Sequence, residues 1–307
     1  MGLERRETAS GVGRGRRLIT TTVLFPSSFP KDKPGLEAAR QSIEPFQSEL
    51  KLRWPRKIRI RKRASQTDYL AGSDEVRARE IVNFLLSDQL VGWFGRGGYG
   101  LTRILHLLEP EVGGAKLPKR WMGYSDITAL FALCKSLNLG IDCIHGPMLC
   151  AFPKQPNKEV LIRALHGEAA PIPFAEASEG IEFHGSIWGG NLAVLASLAG
   201  TRWLPTPTAD SAVFLEDVDE APYRVDRYIT QLYHSGFFAQ TRKVVLGTFT
   251  GFEPAAAVYE VAQRRCQELG LEMLGRVPIG HSEPHSPLFL DKPYWYSPTE
   301  RCLMPNF

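Results

Sequence analysis

Apolar and β-branched residues run from Leu18 to Phe25 and stop at Pro26-Ser27-Ser28, the pattern of a buried strand ended by a turn. Beyond it, Leu36, Ala39, Ile43 and Phe46 recur at helical spacing, with Pro45 disturbing the last turn. Lys57–Arg63 alternates basic residues with Ile58 and Ile60, which predicts a half-exposed strand. Ser73-Asp74-Glu75 then opens a helix reaching Leu86, its acids suiting the positive end of the helix dipole. Leu90–Phe94 reads as a short strand running into the loop Gly95-Arg96-Gly97-Gly98-Tyr99-Gly100, with a helix beyond it to about Leu108. Trp121–Tyr124 predicts another strand. Ser125 opens a helix over Thr128–Leu139, Gly140 supplies its stop, and Ile141–Ile144 forms a further strand ending at His145-Gly146-Pro147. Such alternation predicts an α/β fold, an open and mostly parallel sheet with helices on both faces.

The pattern weakens between Cys150 and Gly180, where Pro153, Pro156, Pro171 and Pro173 mark a connecting region. Strand-like runs resume at Ala212–Leu215 and Lys243–Thr250, and helical spacing at Arg224–Tyr233 and Ala255–Leu269. The expected organisation is a basic leader over 1–17, an α/β domain over 18–165, a linker over 166–180 and a second domain over 181–307.

Composition narrows the class. The chain has 307 residues, 43% of them hydrophobic and 23% charged, which is ordinary globular usage. No apolar run approaches the ~18–20 residues of a membrane span. The stretch after the leader is too short and too rich in threonine for a secretory signal, and Arg6 stands where myristoylation needs Ser or Thr. The net charge of +4 hides a split, for eight basic residues and no acid fall within 51–63. That tract offers only Trp54 for stacking on a base, so nucleic acid is not the expected partner. Five cysteines, Cys134, Cys143, Cys150, Cys266 and Cys302, have neither zinc spacing nor a disulfide pattern, which fits reduced thiols in the cytoplasm.

Three places carry chemistry. Gly95, Gly97 and Gly100 spell a dinucleotide fingerprint between a strand and a helix. The motif is not on the first strand, and no acid ends the next strand at ~20 residues, as ribose recognition requires. Its other readings are a tight turn needing positive φ, or a loop lending backbone amides to an oxyanion. Ser125 sits between a strand and a helix, where a hydroxyl is exposed at the carboxyl edge of the sheet. From its own hexapeptide it reads sooner as a helix N-cap, and Ile127 stands where the α/β-hydrolase elbow wants Gly. A serine nucleophile needs a base and an orienting carboxylate. Among seven histidines, His281 follows a strand ending in Gly280 and precedes a polar loop; His285 and His145 are alternatives. Glu216, with Asp217, Asp219 and Glu220 as local rivals, ends an apolar strand.

Taken together, YLAGSDEVRARE (69–80), GRGGYGLTRIL (95–105), GYSDITAL (123–130), IHGPM (144–148), WGGNLAVLASLAGT (188–201), FLEDVDEAPYRVDR (214–227) and VPIGH (277–281) resemble the LD-carboxypeptidase family of serine peptidases. The resemblance implies a triad of Ser125, Glu216 and His281, with oxyanion amides near Gly98 and at Asp126. It implies a flavodoxin-like amino-terminal domain and a smaller β-rich α+β carboxyl-terminal domain. It also implies a homodimer that needs no metal or cofactor and takes a peptide or muropeptide, releasing D-Ala from murein tetrapeptide in the cytoplasm. A microcin C-type peptidyl-nucleotide amidase and a non-catalytic ligand-binding homologue are the alternatives. Arg96, beside the glycine loop, is the candidate to grip the substrate's terminal carboxylate, against a structural ion pair. After His281 the family often shows Gly and then a Leu-Pro-x-Gly turn; here the chain reads SEPHSPLF.

Overall fold

The computed structural model describes residues 16–60, 69–180 and 182–307. The chain builds a mixed α/β protein around two sheets. In the first sheet, β1 (Ile19–Leu24), β2 (Leu50–Arg53), β3 (Val91–Phe94), β4 (Arg120–Gly123) and β5 (Asp142–His145) are all parallel. They lie in the order β2-β1-β3-β4-β5, that of a doubly wound sheet. Helices α1 (Lys33–Gln41), α2 (Asp74–Leu85), α3 (Leu105–Val112) and α4 (Thr128–Ser136) make the crossovers, and α5 (Lys158–Leu165) follows β5. The central strand β3 is buried along its whole length, which is why Val91-Gly92-Trp93-Phe94 shows no polar alternation. Trp93 meets Phe152 edge-on at 5.1 Å on one face, and Phe94 meets Trp121 at 5.5 Å on the other.

The second sheet departs from expectation. Segment 166–180 crosses to it as two short strands, β6 (Ile172–Pro173) and β7 (Glu176–Ala177), which pair with opposite edges. The middle is β8 (His184–Asn191), β9 (Ala212–Val218), β10 (Lys243–Thr250) and β11 (Glu272–Gly280), four parallel neighbours. Helices α6 (Leu192–Ser197), α7 (Pro222–His234) and α8 (Ala255–Glu268) connect them. The carboxyl half is therefore α/β at its centre and antiparallel only at its flanks, because parallel neighbours need a crossover. Three strands remain: β12 (Leu288–Phe289), β13 (Lys292–Ser297) and β14 (Cys302–Pro305). The hairpin of β13 and β14 extends the second sheet, whereas β12 crosses back and pairs antiparallel with β5.

The basic strand falls earlier than its alternation predicts. Pairing with β1 ends at Arg53, ahead of Trp54-Pro55, since proline has no N–H for the ladder. Residues 57–60 form no strand, and 61–63 lie outside the described residues. Trp54 is covered by the guanidinium of Arg40, 4.6 Å from its ring centre. At the end of the leader, Arg16 reaches Glu49 at 2.8 Å, Glu159 at 2.6 Å and Glu168 at 2.9 Å.

Glu80, on α2, accepts the backbone N–H of Phe25 at 2.9 Å just beyond β1. Burial pushes its carboxyl from 4.5 up to about 7. The protonated form therefore belongs to the fold, and stability is lost as pH rises from the unfolded value through the folded one. Glu80→Gln keeps the acceptor and removes the ionisation. It is expected to stabilise the protein by about 1–2 kcal/mol at pH 8.5 and by little at pH 5, in thermal melts at both values.

Candidate active site

Between β4 and α4 the chain makes one tight turn over Ser125–Ile127. Ser125 has φ 61°, a left-handed conformation that costs a non-glycine residue about 1 kcal/mol or more. The serine does not cap a helix: Tyr124 holds the N-cap position of the turn and Ile127 that of α4, neither with a side-chain bond. The strain aims the side chain outward instead. A Cβ placed on Gly97 would lie 3.4 Å from Ser125 Oγ, so the hydroxyl faces the glycine loop. In that loop Gly98 has φ 119°, and a Cβ there would lie 2.3 Å from Ser28 Oγ, so only glycine fits.

Two buried groups fix the loop. Asp126 accepts the Leu101 N–H at 3.1 Å. Its carboxyl is raised by burial, against hydrogen bonds from Ser27 and the loop backbone. Arg77, 1% exposed, donates to the carbonyls of Pro26 and Gly100, both at 2.9 Å, and pairs with Asp74 at 2.5 Å. Asp74 in turn holds Arg103 at 2.8 Å. Neither the buried Asp126 carboxylate nor Arg77 is marked for this role by sequence pattern. The dinucleotide reading loses its geometry, since α3 starts only at Leu105 and not at the glycines. Arg96 donates to the Phe29 carbonyl, so its guanidinium already braces the neighbouring loop.

The acid and the imidazole come from the second sheet. Glu216 lies on β9 and His281 just past the end of β11, with β10 between them. His281 Nδ1 and Glu216 Oε2 are 2.8 Å apart, and Glu216 is wholly buried. Burial opposes ionisation of Glu216. The charge and hydrogen bond of His281, with His145 close by, outweigh it and hold the carboxyl far below its usual range. Burial likewise opposes charge on His281, yet Glu216 raises it above 6.5. Gly280, with φ 136°, admits this pair: a Cβ there would lie 2.9 Å from Glu216 Oε2.

The rivals are placed elsewhere. Asp217 points to the opposite face and accepts from Asn191 Nδ2 and the Ala193 N–H, both at 2.8 Å. Burial, then the charge of Glu216, pushes its carboxyl up to about 7. Asp219 lies against Gly251, and Glu220 pairs with Arg224 at 3.4 Å. His285 is buried, and that burial above all pushes it down to about 3. The ring of Tyr124 joins the two halves, 4.5 Å from His281, 5.3 Å from His285 and 5.9 Å from His145. Tyr124 directly precedes Ser125, so this stack brings the residue before the serine against the imidazole.

A strained serine turn, a glycine loop and a buried carboxylate–imidazole pair have the chemistry of a serine hydrolase. The LD-carboxypeptidase N-terminal domain model matches residues 22–146, and the C-terminal domain model matches 184–294. A Synechocystis sp. protein whose name assigns it provisionally to the carboxypeptidases is 33% identical over 69% of this chain and 72% of its own. The murein tetrapeptide carboxypeptidase of Pseudomonas aeruginosa is 29% identical over 69% and 74%. The crystal structure of muramoyltetrapeptide carboxypeptidase from Oxalobacter formigenes superposes with a TM-score of 0.74 at 21% identity, covering 93% of this chain and 99% of that one. The chain belongs to the LD-carboxypeptidase family, and its class is that of the serine carboxypeptidases.

Arg77→Met removes the clamp while keeping much of the side-chain volume, and leaves two buried carbonyls unpaired. It is expected to lower stability by about 3–5 kcal/mol in urea unfolding. In whatever fraction remains folded, peptidase activity should fall more than substrate affinity does.

Proposed function

We propose that the protein is a serine LD-carboxypeptidase that releases the terminal D-alanine of murein tetrapeptide in the cytoplasm. The reading rests on the 2.8 Å bond between His281 and buried Glu216, set beside the strained Ser125 turn. The name of the Pseudomonas aeruginosa relative supports the substrate. Among the described residues no helix is long and apolar enough to cross a membrane.

Ser125 Oγ attacks the carbonyl preceding the D-amino acid as His281 Nε2 takes its proton. Glu216 holds Nδ1 protonated and stabilises the imidazolium. The negative oxygen of the tetrahedral intermediate lies against backbone amides at Gly98 and Asp126. Loss of one such donor typically costs about 10²–10³ in rate. Collapse expels the amine of the D-amino acid, protonated by His281. Water, deprotonated by the same imidazole, then hydrolyses the acyl-enzyme and frees Ser125. Arg96, which also donates to the Phe29 carbonyl, grips the substrate's terminal carboxylate.

Mass spectrometry of murein tetrapeptide incubated with the protein tests the reading. Wild type is expected to yield tripeptide and D-alanine, and Ser125→Ala neither, with its fold unchanged by circular dichroism. Undiminished release by Ser125→Ala overturns the assignment. A peptidyl-nucleotide amide incubated in parallel separates the alternative amidase.

The base works only when neutral. Because Glu216 raises His281 above 6.5, kcat/KM should rise with pH through a limb above that value. Glu216→Gln removes the charge and is expected to move this limb to lower pH, with a rate loss of about 10³–10⁴. A pH profile of kcat/KM for both proteins checks the sign.

A further inference from the structure

Glu216 has a second oxygen that the Ser–Glu–His scheme leaves idle. Among the described residues Oε1 accepts no hydrogen bond at normal length, and the carboxylate is wholly buried. A buried carboxylate oxygen left unpaired is costly. His145 Nε2 faces it at 3.6 Å. His145 is itself wholly buried at the end of β5, and neither of its ring nitrogens has another partner among the described residues. The two groups come from different sheets, Glu216 from β9 and His145 from β5, and they are each other's nearest chemical match.

We propose that His145, with its proton on Nε2, is the second donor to Glu216 and a positioning residue for His281. This rests on the reading of Glu216–His281 as the working pair. A carboxylate bonded through one oxygen can rotate about its last side-chain torsion, which is broad and soft. Bonded through both oxygens, it holds Oε2 on Nδ1 and keeps the imidazole aimed at Ser125. His285 stacks on His145 at 5.4 Å and 29°, and Phe214 lies edge-on at 5.0 Å. Tyr124 closes a third side, and His281 already holds the other oxygen of Glu216. Farther charges bear on the neighbours: Asp217 and Asp219 on His281, and Glu283 on Tyr124.

Removing the donor leaves Glu216 more basic and free to turn. Its hold on the His281 proton then tightens while the alignment loosens. His145→Leu is expected to lose about 10- to 100-fold in kcat at little change in KM, as second-partner losses do. The acidic limb of kcat/KM should move up by about half a pH unit or more, since each unit marks a tenfold change in proton affinity. His145→Gln carries an amide donor close to the position of Nε2, and should restore most of the rate and return the limb toward the wild-type position. Long-range nitrogen–proton correlation on wild type gives an independent readout, with protonated Nε2 and bare Nδ1 expected at His145.

Wild type must first release D-alanine from tetrapeptide; if it does not, the peptidase reading fails before this inference is reached. Given an active wild type, an unmoved pH limb in both variants overturns the proposal, whether or not activity falls. A proton found on Nδ1 of His145 overturns it as well.

Discussion

An ionised carboxylate wholly withdrawn from water is among the most expensive things a protein interior can hold, and this fold places Glu216 there. The charge is tolerable because an imidazole meets it at 2.8 Å. Much of the surrounding design serves that meeting. Parallel pairing of β9, β10 and β11 brings the two strand ends to one edge. Gly280 leaves the space a side chain would fill, and Tyr124 and Phe214 exclude solvent with aromatic surface. An acid at the same strand end but on the other face, Asp217, is absorbed into the start of α6 and does no such work.

The serine side of the cleft follows a different logic. Its turn stores backbone strain at Ser125, and strain persists only where the surroundings over-determine it. Arg77 and Asp126 supply that restraint from beneath, binding backbone groups of the glycine loop and of the segment after β1. Thr128, at the start of α4, accepts the Asn191 N–H at 3.0 Å and so ties the turn to the second sheet. The position of Ser125 is thus fixed by buried groups on both sheets.

The first sheet was legible because its elements are periodic and punctuated. Apolar runs ended by Pro26, Gly95 and Gly146 marked strands, and Ser73 with its acids marked a helix start. The second sheet was harder. In β8, His184-Gly185-Ser186-Ile187-Trp188-Gly189-Gly190-Asn191 looks like a turn, because glycine there admits a neighbouring backbone and leaves no apolar period to read. The candidate acids near 216 could not be ranked by spacing, since the choice depends on which face of β9 each one takes. Ser125 looked by its neighbours more like a cap than a nucleophile, for the sign of its φ is not written in them. Arg77 was hidden for a similar reason: an arginine in a polar helical turn reads as solvated, and only packing reveals the carbonyls it holds.

The short strand β12 follows directly on the segment carrying His281 and His285, and Leu288 pairs with His145 itself. That segment is therefore stitched to the second sheet at one end and to the first at the other. A clamshell opening of the two halves would have to break this pairing. The imidazole is accordingly presented to an arriving ligand in a ready-made socket, with little reorganisation left for the moment of encounter.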